Sequence, residues 1–77
     1  MIDSADKEKL IEFGKNLKTL RMKKNFSQEK FAEMTQLDRT YISGLDRGMR
    51  NPSFLTILKL AESLNVSFSK LLRRREK

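Results

Sequence analysis

Apolar residues recur along this chain at steps of three and four, the spacing that keeps one face of an α-helix dry. Nowhere do they follow the strict alternation of a half-buried strand. Leu10, Phe13, Leu17 and Leu20 predict a first helix over about 7–24, with Lys9, Lys15, Lys18, Lys23 and Lys24 on its opposite face. Asn25 is suited to end it, since asparagine tolerates the left-handed backbone better than most residues. Ser27, Asp38 and Ser67 each stand where a side-chain oxygen can cap a new helix. Each is preceded by an apolar residue and followed, four positions into the helix, by another: Phe26 with Phe31, Leu37 with Ile42, Val66 with Leu71. That spacing makes a hydrophobic staple, which sets the angle at which the chain turns into a helix. These starts predict helices over about 28–35, 39–47 (stopped by Gly48) and 68–74. A further helix over about 54–64 follows Asn51-Pro52-Ser53, carries Ile57, Leu60, Ala61 and Leu64 on one stripe, and ends at Asn65. The sole proline falls between the third and fourth helices, where it interrupts nothing. The last helix runs into the basic end from Arg73 to Lys77, which is expected to fray. The expectation is an all-α, compact five-helix bundle forming one domain over 1–77.

Composition narrows what such a bundle can do. Seventy-seven residues bury a modest core, and with no cysteine or histidine neither a disulfide nor an ordinary zinc site can staple it. Dimerisation is a remaining way to bury apolar surface, and absent cysteine fits a reducing compartment. Seventeen basic residues against ten acidic give a net charge of +7, a balance that attracts polyanions unless it is merely a solvated lysine surface. No apolar run approaches the roughly 20 residues that span a bilayer, and the first residues lack the segments of a secretory signal. A cytoplasmic protein without membrane contact is expected. Catalysis is not, because the usual general base and two common nucleophile systems are missing. Gly14, Gly44 and Gly48 form no phosphate-cradling loop, and the scattered acidic residues imply no metal cage. No cofactor, metal or small-molecule ligand is expected.

The informative stretch is 26–45. Two short helices meet at a tight connection around Thr35-Gln36-Leu37, and Phe31, Ala32, Leu37, Ile42 and Leu45 can lock them together, with Ala32 small where the helices approach. This is a helix-turn-helix pattern, whose second helix enters the major groove with its N-terminal residues toward the base edges. Arg39 and Thr40 occupy that first turn. Arginine can donate two parallel hydrogen bonds to guanine, and threonine offers a hydroxyl and a methyl. Ser43 lies one turn on. Tyr41 either lays its ring along the sugar–phosphate backbone or is partly buried beside the first helix. Gly44 costs helix stability, about 1 kcal/mol relative to alanine, which close packing or close DNA approach would justify. Helices four and five carry Phe54, Leu55, Leu58, Phe68 and Leu72 beyond what one small core needs; either all fill that core or some form a partner surface.

The segments FSQEKFA (26–32), LDRTYISGLDRG (37–48) and RNPS (50–53) resemble the Xre/Cro-type helix-turn-helix regulators, and LDRTYISG is most similar to controller proteins of restriction–modification systems. The resemblance runs from about Phe13 to Leu72 and implies a lambda repressor-like DNA-binding fold. It also implies that Arg39 and Thr40 read bases, with Ser43 joining them by its helical spacing, while Gln28 clamps the DNA backbone at a helix N-terminus that favours phosphate. Tyr41, Arg47, Arg50 and Asn51 would contact the backbone, with a base contact by Arg50 left open. Gly44 stands where several members carry a long base-reading side chain, so readout would end early along the helix and lean on DNA deformability. Arg21 and Asp46 match a structural pair, usually arginine with glutamate. By the same resemblance the last helices, with Phe54, Leu55, Leu58, Phe68 and Leu72, form a two-fold interface. A homodimer on a palindromic double-stranded operator follows, with recognition helices about 34 Å apart. Such controllers act on the promoter shared by their own gene and the endonuclease gene. A phage-type or general repressor, or an antitoxin or interaction module on the same scaffold, is the alternative.

Overall fold

The computed structural model describes residues 4–73. Five helices occur among them: α1 (Ser4–Lys23), α2 (Gln28–Thr35), α3 (Arg39–Asp46), α4 (Phe54–Leu64) and α5 (Phe68–Leu72). α1 begins three residues earlier than the apolar spacing suggests. Its first turns are exposed on all sides and carry no stripe to signal a helix, although Asp6 in the first turn suits the positive end of the helix dipole. The expected continuation of α5 to residue 74 and the frayed basic end lie outside the described residues.

Three serines start helices by accepting a backbone N–H: Ser27 from Lys30, Ser53 from Thr56 and Ser67 from Lys70. Asp38 departs from expectation. It occupies the N-cap of α3 with extended backbone, but its carboxylate makes no capping hydrogen bond. α3 therefore starts on its backbone ladder, with Ile42 N–H donating to the Asp38 carbonyl at 3.0 Å, and on the Leu37–Ile42 staple. At the helix ends Asn25, Gln36 and Asn65 take positive φ, as does Gly48 at 74°. Gln36 is the unheralded one. Its left-handed turn lets its own N–H and that of Leu37 reach the last carbonyls of α2.

The core is Leu17, Leu20, Phe31, Ile42, Leu45, Leu60, Ala61, Leu64 and Leu71, with Phe13, Phe26, Ala32, Leu37, Tyr41, Ile57 and Val66 packed around it. Both aromatic partners of the α2 staple contribute, with ring centroids 6.4 Å apart. α1 packs on α3 and α5, while α2 packs on α3 and α4. Gly14 makes the first of these contacts possible, because a Cβ there would fall on the carbonyl oxygens of Leu45 and Asp46. Asn16 closes the far side, its Nδ2 donating to the Lys70 and Leu71 carbonyls at the end of α5. Among the described residues no helix is long and apolar enough to cross a membrane.

Candidate nucleic-acid interface

α3 turns its apolar side inward and its first turn outward. Ile42 and Leu45 are fully covered, whereas Arg39, Thr40 and Arg47 are exposed and Ser43 is half-buried. At about 100° per residue, Thr40, Ser43 and Arg47 share one side of the helix and Arg39 borders it. The polar face is thus continuous along α3. Arg47 folds back on it, with Nε donating to the Ser43 carbonyl at 3.4 Å, which leaves the rest of the guanidinium at the end of the helix.

A buried polar network aims this helix. Arg21 of α1 is 4% exposed. Its Nη2 donates to Asp46 Oδ2 at 2.7 Å, and its Nη1 donates to the Phe26 carbonyl at 2.7 Å. One side chain thereby ties α1, the start of the α2 turn and the end of α3. Gln28 joins them, its Nε2 donating to the same Asp46 oxygen at 3.0 Å. One of the two amide hydrogens of Gln28 is therefore engaged inside the protein, a tie to α3 that its place at a helix start does not signal. The aspartate reaches with one oxygen only: Asp46 Oδ1 and Arg21 Nε are buried without a hydrogen-bond partner.

The loop after α3 splits the remaining candidates. Arg50 lies on α3, its guanidinium carbon 5.5 Å from the centre of the Tyr41 ring. Tyr41 is itself half-buried and packed against the core, so its ring is fixed. Asn51 lies elsewhere, in a surface hollow with Asp6, Lys9 and Leu10 of α1. Phe54, Leu55, Leu58, Phe68 and Leu72 are all left out of the core. Phe54 is 61% exposed, Leu55 73% and Leu72 41%, while Leu58 and Phe68 are half-buried. The rings of Phe54 and Phe68 touch at 5.1 Å and join the two helices into one apolar strip.

Sequence reasoning missed Gly14, the inward bond of Gln28 and the reach of Arg50 across α3. All three depend on how separate elements meet, and spacing within one element carries no signal of that.

A basic, exposed first turn on the second helix of a helix-turn-helix, braced from behind by a buried ion pair, defines a DNA-binding transcriptional regulator. Comparison with known proteins agrees. A helix-turn-helix family model matches residues 17–71. The control protein C.MunI of a Mycoplasma species is 44% identical over 79% of this chain and 84% of its own length. The crystal structure of the restriction–modification controller protein C.AhdI from Aeromonas hydrophila is similar at a TM-score of 0.81 and 44% identity, covering 83% of this chain and 97% of that one. The C.Esp1396I controller, solved as a tetramer in complex with its natural 35 base-pair operator, is similar at a TM-score of 0.75 and 34% identity, over 83% of this chain and 88% of that one. The chain belongs to the helix-turn-helix family and, within it, to the restriction–modification controller proteins.

Proposed function

We propose that this protein, one domain over 1–77, binds a palindromic double-stranded operator as a homodimer and controls a restriction–modification system from its own promoter. The role is cytoplasmic and involves no catalysis, cofactor or small ligand. One observation carries this reading: the first turn of α3 is exposed and holds Arg39 and Thr40, which match the hydrogen-bonding edge of guanine and the methyl of thymine. An adaptor that only bound protein would need neither. The apolar strip on α4 and α5 supports the dimer, the two-fold symmetry of a dimer calls for a palindromic site, and a related controller is solved as a tetramer on its natural operator. Arg39, Thr40 and Ser43 are assigned to bases, Gln28 (through its second amide hydrogen, its oxygen or its backbone), Tyr41, Arg47 and Asn51 to the DNA backbone, and Arg50 to the backbone or a base edge.

The test is competitive binding to duplexes that the wild-type chain enriches from a random pool. Arg39→Ala should lose most of the preference for the enriched duplex over random DNA, about tenfold to a hundredfold per half-site, and keep weak general binding. Equal losses on both duplexes would reduce Arg39 to a phosphate contact. Affinity should also fall steeply with salt, with a log–log slope of about −0.9 for each phosphate neutralised.

A further inference from the structure

α3 has a gap in its flank. Gly44 lies one turn beyond Thr40, at the edge of the exposed side. A Cβ built there would stand 2.9 Å from Arg50 Cγ, 3.3 Å from its Nε and 3.6 Å from its Cδ. What occupies the notch is therefore the stem of an arginine from the following loop. The loop is made to deliver it. Gly48 reverses the chain with φ of 74°, Gly48 N–H donates to the Leu45 carbonyl at 3.1 Å, and Met49 N–H donates to the Gly44 carbonyl at 2.8 Å. Beyond the notch the guanidinium meets the Tyr41 ring at 5.5 Å, within the range of a cation–π contact. Because Tyr41 rests against the core, it offers a fixed platform. Arg50 nevertheless remains exposed, so its donors are not used up by the seat.

We propose that Gly44 and Tyr41 are positioning residues that seat the Arg50 guanidinium on the flank of α3, where it reads a base that position 44 itself is too short to reach. The inference rests on the DNA-binding reading above and adds a specificity device to it. A flexible loop arginine would sweep a wide volume; one held along its stem by a notch and at its tip by a ring is directed before DNA arrives. Any side chain at position 44 meets the arm at its Cγ and forces it to shift. The same change removes a glycine from a helix interior, which favours folding. Stability and specificity are thus set against each other at one residue, and a purely structural role would not separate them.

Two measurements test this. Without DNA, the Arg50 δ protons should be shifted upfield by the Tyr41 ring in the wild-type NMR spectrum. They should move back toward unstructured positions in Gly44→Ala and Tyr41→Leu, and stay shifted in Tyr41→Phe. With DNA, duplexes enriched by the wild-type chain are re-tested with each base pair changed in turn. Gly44→Ala should melt no lower than wild type yet lose about tenfold preference at one base pair of each half-site. Arg50→Ala should lose the same preference at the same base pair, and the double variant should lose no more than either alone. Tyr41→Leu should reproduce the loss and Tyr41→Phe should spare it. An unshifted Arg50 in the wild-type spectrum overturns the seat. A shifted Arg50 with unchanged base preference in Gly44→Ala, losses that add, or an Arg50→Ala defect equal on every duplex, overturns the positioning role. If the wild-type chain enriches no sequence at all, the regulator reading fails and takes this one with it, while the upfield shift reports on the seat separately.

Discussion

Between α1 and α3 a guanidinium and a carboxylate are buried, whereas on α4 and α5 a phenylalanine and a leucine stand in solvent. Arg21 is 4% exposed and Leu55 73%, the reverse of what polarity alone would choose. The inversion marks two different demands. The α1–α3 contact must hold one register, because a small rotation of α3 would turn Arg39 and Thr40 away from a groove. Directional bonds from Arg21 to both Asp46 and the Phe26 carbonyl fix that rotation in a way that leucine against leucine would not. The α4–α5 strip has no inward demand left, since Leu60, Ala61, Leu64 and Leu71 already close the core. Its apolar residues lie outside that core, and the dimer proposed above would cover them.

The contrast breaks most visibly at Arg21. Arg21→Met leaves Asp46 buried without its cation and should destabilise the fold by about 3–5 kcal/mol, read as a lower urea midpoint at fixed protein concentration. A loss below about 1 kcal/mol would mean that the network is dispensable and that apolar packing alone sets the register. At the other end Leu55→Asp should leave helix content by circular dichroism unchanged and weaken self-association. Burying a leucine gives about 1.5–3 kcal/mol, so losing one on each two-fold-related side predicts a dimer weaker by about a hundredfold to ten-thousandfold. Sedimentation equilibrium checks this. An unchanged dimer would move the interface off this strip, and a monomer that unfolds would show Leu55 to be part of the core after all.

How far the sequence disclosed this arrangement differs between the two regions. The strip on α4 and α5 was legible because it is a surplus, and surplus can be counted from one helix at a time. The helix starts at Ser27 and Ser67 were legible because a cap and its staple lie within five residues. α3 itself was placed to within one residue, and the exposure of its first turn followed from its period. What stayed hidden lies between elements. Gln28 carries no mark in the sequence of its bond to an aspartate eighteen positions away. Gly14 resembles any tolerated helical glycine until α3 is laid across it. Gly44 looks like an early end to the reading surface, because nothing in the spacing says that residue 50 returns to fill it. Asp38 misled in the opposite direction. Its residue type suits a cap, but the staple and backbone already secure the start of α3, and the carboxylate is not drawn in.

The smallest effect is the most discriminating, and it concerns the length of one side chain. Asp46 accepts from Arg21 and Gln28 through Oδ2 alone, which strands Oδ1 and Arg21 Nε in the interior. A buried polar atom without a partner costs about 1–3 kcal/mol, so the network holds its register at some expense in stability. A carboxylate one methylene longer can offer both oxygens to the arginine fork, the arrangement that guanidinium geometry favours. Asp46→Glu should therefore raise stability by about 1 kcal/mol, less than two rescued atoms would suggest, because the added methylene must be housed and the Gln28 bond re-aimed. The urea midpoint should rise, and Gln28→Ala should cost less in the glutamate background than in the native one. If Asp46→Glu instead lowers the midpoint, the shorter side chain is the better fit to the close α1–α3 approach at Gly14, and the single-oxygen bond reflects tight packing rather than insufficient reach.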